Sequence, residues 1–350
     1  MIKIFNKYLI KRSFYFSLAI LFIFGILDSI FIFISELEKV SSDYSFFLIL
    51  KYVVFSMPHN LLDFIQGACL LGVMLSLGMS HEEGNLNVLR SAGKSPFMMV
   101  LISSIGALIL VLSILILDEI AFKKLYVKEE VERNILLNKE INNENEINWV
   151  KSGNSFLGFE NIIDDKIFNV MFFKVEDKKI IYSVKTDVLT INKNEIIFDK
   201  NSIYKSFIDN FEKKDVEFFE IPIQSKITFN NIKHLGIIEL NLYRQLFENS
   251  VVQRDALFKS HLDKSFYDKI FLPLSTLILI LFFGSFIFTS LRDSTIGMRV
   301  VFAVVGAFIY QLIQDLTSGI FISFGLPVIL GVILPSLVLL AASAVSYKKI

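Results

Sequence analysis

PFMMVLISSIGALILVLSILIL, residues 96–117, contains no Asp, Glu, Lys or Arg. A helix needs about 20 apolar residues to cross the hydrocarbon core of a bilayer, so this stretch reads as a membrane span. Working outward, five more runs share its length and character: 13–35, 61–80, 271–291, 300–322 and 327–345. Six spans are therefore expected. The whole chain agrees, with 53% of its 350 residues hydrophobic and a mean hydropathy of +0.57, more apolar than an ordinary soluble enzyme. The start of the second span is ambiguous. Residues 46–57 are also apolar, but Pro58 lacks a backbone donor and is expected to kink or end a helix there, with 46–57 as an alternative extension of the second helix along the outer interface.

Basic residues in short connections set the expected orientation. Lys3, Lys7, Lys11 and Arg12 precede the first span, Arg90 and Lys94 follow the second, Arg292 and Arg299 follow the fourth, and Lys348 and Lys349 follow the sixth. The other side offers Lys39 in its first short loop and no basic residue in 317–326. Both termini are therefore expected to be cytoplasmic, with the hydrophilic section between spans three and four outside. The first apolar run exceeds the core of a signal peptide and no small-x-small site follows it, so it is expected to stay as an anchor.

A formal net charge of zero gives no field for nucleic acid. One cysteine, Cys69, rules out a disulfide framework, and with four histidines it argues against a Cys/His metal site. His234 and His261 stand alone in the sequence and are expected to be solvated or locally satisfied. No Ser/His/Asp set follows from spacing, so neither catalytic residues, a metal nor a cofactor is expected.

Residues 118–264 are too long for a connector. Residues 118–142 are charged with helical spacing, so the third helix should run on past the membrane. From Trp149 the pattern changes. NVMFFKV, KIIYSVKTDVLTI, EIIFD, DVEFFEIPI and KITF alternate apolar with polar residues, and the turns EDKK and NKNE separate some of them. That spacing suggests an antiparallel sandwich or barrel. Helical spacing returns from Ile238 to about Asp268, through Leu240, Tyr243, Leu246 and Phe247. The expected domains are 1–117, holding spans one to three; 118–264, a β domain with helical flanks; and 265–350, holding spans four to six.

HEEGNLNVLRSAGKSP, residues 81–96, is the polar island between spans two and three. Its Gly93-Lys94-Ser95 looks like the tail of a phosphate-binding loop, but that loop needs a glycine where this chain has Val88, and a preceding strand. Asn85–Gly93 instead reads as a short helix with Leu86, Val88 and Leu89 on an apolar side and Gly93 as its stop. Such a helix could seat in a groove of a soluble partner and pass that partner's motion into the membrane. A plain cytoplasmic loop fits the pattern equally well.

Several stretches together resemble the LptF/LptG permeases of lipopolysaccharide export, and the LptG branch more than the LptF branch. They are Ser56-Met57-Pro58 with LLGVMLSLGMS, NLNVLRSAG, WVKSGNSF (149–156), SFYDKIFLPLS (265–275), SFIFTSLRDSTIGMRVV (285–301) and GLPVILGVILPS (325–336). The resemblance implies an α-helical membrane protein of six transmembrane helices, with a periplasmic β-jellyroll-like domain between helices 3 and 4. It implies a non-catalytic permease subunit in the inner membrane that extracts lipopolysaccharide and hands it to a periplasmic bridge. Its partners would be a sister permease, LptF, two copies of the cytoplasmic ATPase LptB, and LptC.

On the same resemblance, residues 81–95 hold the ATPase-coupling helix, and Glu83, Asn85, Leu86, Val88, Leu89, Arg90 and Gly93 take the coupling positions. Asn85 stands where the family commonly has an acidic residue, with Glu82 or Glu83 one turn earlier as substitutes. Candidate contacts to the lipid are Lys39, Lys124, Lys128, Arg133, Lys269, Gln314 and Asp315. The basic ones would meet phosphates or act as snorkelling anchors. Asp28, Asp63 and Gln66 also fall within spans and should face other helices or a wet cavity. Rival functions are the permease of another envelope lipid or lipoprotein exporter, and a receptor with a periplasmic sensor domain.

Overall fold

In the computed structural model the run 96–117 is one helix, α4 (Pro96–Leu117), opened by a serine cap. Ser95 is extended and its hydroxyl accepts from the Met98 N–H, while Pro96 occupies the first turn, where its missing donor costs nothing. The structure describes residues 2–41, 44–137, 148–159, 161–163, 166–176, 179–192, 195–198, 202–207, 216–218, 232–249, 256–288 and 294–350. Six described helices are long and apolar enough to span a membrane. They include α1 (Ile2–Leu37), α2 (Phe46–Glu82) and α4. The short α3 (Asn85–Ser91) joins α2 to α4.

Pro58 does not divide α2. The helix runs through it for 37 residues, from Phe46 to Glu82. The Ser56 hydroxyl, two residues before Pro58, donates to the Val53 carbonyl at 3.2 Å, while the carbonyl that Pro58 deprives of its usual donor is that of Val54. At its far end α4 passes through a π-helical turn, Asp118–Phe122, into α5 (Lys123–Leu136). The expected continuation beyond the apolar run is therefore present, and the last part of its expected range, 138–142, lies outside the described residues.

After the β strands come α6 (Ile237–Asn249), α7 (Ala256–Ser285), α8 (Ile296–Ser323) and α9 (Val328–Lys348). The fourth span thus begins well before Phe271, and a 3-10 turn, Phe286–Phe288, ends it. The chain divides into two compact units: 1–137 with 231–350, and 138–230. The helices α5 and α6 cluster with the spans.

Close approach of helices rests on small residues. A Cβ on Gly72 would strike the backbone of Ser17, and one on Gly106 would strike the Ile10 carbonyl, so α1 lies directly against α2 and α4. The hydroxyls of Ser13 and Ser76 meet across the first contact at 3.1 Å. Leu21, Ile65, Leu70, Met74, Val111 and Leu279 belong to the core these helices share.

The second unit carries an antiparallel sheet in the order β1-β2-β4-β5-β6-β8, with β3 on β4 and β7 on β5. The strands are β1 (Asn148–Ser152), β2 (Ser155–Phe159), β3 (Asn161–Ile163), β4 (Lys166–Glu176), β5 (Lys179–Asn192), β6 (Glu195–Phe198), β7 (Ile203–Ser206) and β8 (Val216–Phe218). The β4–β5 hairpin is its spine. Each long strand takes different neighbours at its two ends: β2 and β3 along β4, β6 and β7 along β5. Alternate residues Val170 and Phe172, Tyr182 and Val184 point into one core with Leu157, Phe159, Leu189, Ile196 and Phe198. Gly153, at φ +56°, makes the two-residue turn between β1 and β2. KITF and the end of DVEFFEIPI lie outside the described residues.

Candidate functional site

The polar island folds into a rigid corner. Gly84 (φ +76°) and Gly93 (φ +83°) bracket α3 in backbone conformations that favour glycine. At the second corner the Gly93 N–H bonds the Arg90 carbonyl and the Lys94 N–H bonds the Leu89 carbonyl, the paired closure that ends many helices at glycine. Gly93 is thus the stop the sequence suggested.

The orientation of α3 differs from the simple amphipathic reading. Leu86 and Leu89 are fully buried within the spanning unit's own core, whereas Val88 is 52% exposed. Asn87, Arg90 and Ser91 share the open side with Val88. The leucines therefore fasten α3 to this chain, and any partner would meet Asn87, Val88, Arg90 and Ser91.

Two adjacent carboxylates are already engaged. Glu83 receives both terminal nitrogens of Arg12, at 2.5 and 2.7 Å, together with the Tyr8 hydroxyl at 3.0 Å and the Asn85 amide at 2.8 Å. The Arg12 guanidinium holds the Glu83 carboxyl down at about 2, with Tyr8 and Asn85 helping. Glu82 accepts from Arg299 at 2.7 Å. Asn85 thus serves Glu83 from within the chain.

At the other end of the bundle several of the candidate lipid contacts are also held. Glu36 takes Lys39 at 2.5 Å and a bidentate pair from Arg133 at 2.7 Å, and the Arg133 guanidinium lies over the Tyr52 ring. Lys39 and Arg133, distant in sequence, therefore share one carboxylate. Lys124 and Lys128 are exposed and form no ion pair among the described residues. The Lys269 ammonium donates to the Leu235 carbonyl at 2.5 Å. Gln314 donates to Asp268 at 3.1 Å, and Asp315 faces Lys264 at 2.8 Å. Asp28 accepts from Asn60, Asp63 pairs with Lys233, and Gln66 donates to Ser275, so the polar residues inside the spans do meet other elements of the chain.

One polar cluster escaped the sequence reading. His59 Nδ1 lies 2.6 Å from Asp118 Oδ1, and His59 Nε2 lies 3.2 Å from His234 Nδ1. Tyr126 stacks on His234 with ring centres 4.7 Å apart. His234 is locally satisfied, as expected, but it is not isolated. Burial, with His59 alongside, pushes it down to about 4. The π turn aims two successive carboxylates differently: Asp118 at His59, and Glu119 at the Ile237 and Ile238 N–H groups that open α6. A faint signal existed. Asp118 closes the third apolar run and His59 sits near the start of the second, so both belong at one membrane level.

A family model described as "Lipopolysaccharide export system permease LptF/LptG" matches residues 7–349. The chain belongs to this family. It is 22% identical to the lipopolysaccharide export system permease protein LptG of Escherichia coli K12, over 95% of this chain and 94% of that one. It is 22% identical to the protein of the same name from Haemophilus influenzae, over 89% and 88%. The six apolar helices and the antiparallel sheet between α5 and α6 fit the LptF/LptG architecture. Together the family and the helices make the chain a multi-pass inner-membrane permease of lipopolysaccharide export, a transporter subunit and not an enzyme.

Proposed function

We propose that this chain is the LptG-type half of a heterodimeric permease, paired with LptF and driven by a separate cytoplasmic ATPase, LptB, whose two copies dock beneath the two halves. The feature that carries the reading is α3. It is a seven-residue helix fixed to the spans by Leu86 and Leu89, cornered by two glycines, and open along Asn87, Val88, Arg90 and Ser91. A projection so firmly rooted can pass an external push into the spans. Basic residues around the termini and beside α3 favour the cytoplasmic side for it, which leaves the β unit periplasmic. There it would hand lipopolysaccharide towards a periplasmic bridge, with LptC at the permease's side. Lys39, Lys124, Lys128, Arg133 and Lys269 would offer cations to lipid phosphates near the outer rim, with Gln314 and Asp315 on a lining helix.

The test is co-purification from native membranes. The sister permease and the ATPase should travel with this chain; the chain alone should hydrolyse no ATP, and the assembled complex should. Val88→Glu should leave thermal stability within about 0.5 kcal/mol, since its side chain is open, and should remove the ATPase from the purified complex. Full retention of the ATPase by Val88→Glu with Arg90→Glu would refute α3 as its seat.

A further inference from the structure

The consecutive carboxylates Glu82 and Glu83 each bind an arginine from a different span. Glu83 holds Arg12 of α1, and Glu82, the last residue of α2, holds Arg299 of α8. Arg299 is 1% exposed, the largest fully buried side chain described. Its stem passes over Gly78, where an added Cβ would come within 2.7 Å of Cδ and Nη1. A glycine has thus made room for a buried cation whose charge must be met. Arg12 is held by two parallel bonds, the geometry that gives an Arg–carboxylate pair direction as well as attraction.

The two spans tied here are the least enclosed by this chain. Only 22% of the apolar window of α1 and of α8 is buried, against 67% in α2. Each also leads to candidate lipid contacts at the far end of the bundle. From Arg12 to Glu36, which holds Lys39 and Arg133, α1 runs about 36 Å, and from Arg299 to Asp315 α8 runs about 24 Å.

We propose that Glu82–Arg299 and Glu83–Arg12 form a yoke that couples displacement of α3 to the outer spans α1 and α8, making these four residues positioning residues for lipid extraction. This rests on the reading of α3 as the seat of an ATPase. A merely structural pair would stabilise the bundle without setting how much lipid moves per ATP. A yoke sets that ratio.

The experiment uses the assembled complex in phospholipid vesicles doped with lipopolysaccharide, reading ATPase content, ATP hydrolysis and lipopolysaccharide released. Glu82→Gln with Glu83→Gln should keep the ATPase bound and hydrolysis within twofold, while lipid released per ATP falls at least tenfold. Gly78→Ala, which displaces the Arg299 guanidinium from Glu82, should lower the ratio severalfold. The exchange Glu83→Arg with Arg12→Glu should recover at least a third of the ratio lost in Glu83→Gln. An unchanged ratio in the double variant overturns the yoke, as does loss of the ATPase from that variant, which would make the carboxylates a docking surface. Failure of the exchange to recover the ratio also overturns it. Absence of the ATPase from the unsubstituted complex would instead overturn the reading of α3.

Discussion

At the end of the bundle that carries α3, Arg12 and Arg299 reach carboxylates whose side chains stay 46% exposed; at the other end His59 and Asp118, each 4% exposed, face one another at 2.6 Å. The contrast is one of cost. A carboxylate open to water is resolvated when its partner leaves, so Glu82 and Glu83 themselves lose little, but Arg299, 1% exposed, would be stranded, as would either member of the His59–Asp118 pair. At the α3 end the cost of separation therefore falls on the buried arginine alone, whereas at the His59 end it falls on both partners and fixes α2, the π turn and the entry to α6 against each other.

The largest effect should come from attacking the root of α3. Leu89→Asp puts a charge where the leucine is 3% exposed, and should cost more than about 4 kcal/mol, read as loss of a monodisperse folded protein in detergent. A variant that folds normally would mean the leucine faces outward after all. At the opposite end, Asp118→Ala strands His59 and should cost about 3 kcal/mol in unfolding free energy. Asp118→Asn, which keeps an acceptor, should cost less. If both Asp118 variants melted like the parent, the two ends would not differ as described.

A pH series sharpens the comparison at smaller scale. The His234 imidazole is held down at about 4 by burial and by His59, with Asp63 acting the other way and Lys233 and Lys269 adding to the depression. The unfolded chain would take up this proton near 6.5. Stability from the neutral ring is therefore complete above about pH 6.5 and declines as pH falls towards 4. Melting temperature should drop across that window in the parent, and His234→Gln should flatten the drop. An equal slope in both would assign the acid sensitivity elsewhere. The Glu83 pair should persist throughout, because its carboxyl titrates only near pH 2.

Local features were legible in the sequence. The stop at Gly93, the apolar runs and the strands on either side of EDKK all depend on residues a few positions apart, and so does the helix continuing past Leu117. What resisted reading depends on distant partners. Periodicity put Leu86 and Leu89 on one apolar side, but an apolar side looks the same whether it packs on its own chain or on another. His59 and His234 are separated by 175 positions, Arg12 and Glu83 by 71, Arg133 and Glu36 by 97. Nothing local marks such pairs. Pro58 left two readings open, a break or an extension of the second span, and α2 runs through it as one helix from Phe46 to Glu82.

The central claim is that α3 projects on the cytoplasmic side and is covered there by the ATPase. The only cysteine, Cys69, is buried, so Asn87→Cys supplies a single open thiol on the exposed side of α3. A membrane-impermeant maleimide should label it in inverted inner-membrane vesicles, the label should fall when the ATPase is bound, and spheroplasts should remain unlabelled. Labelling of spheroplasts from outside would contradict the account.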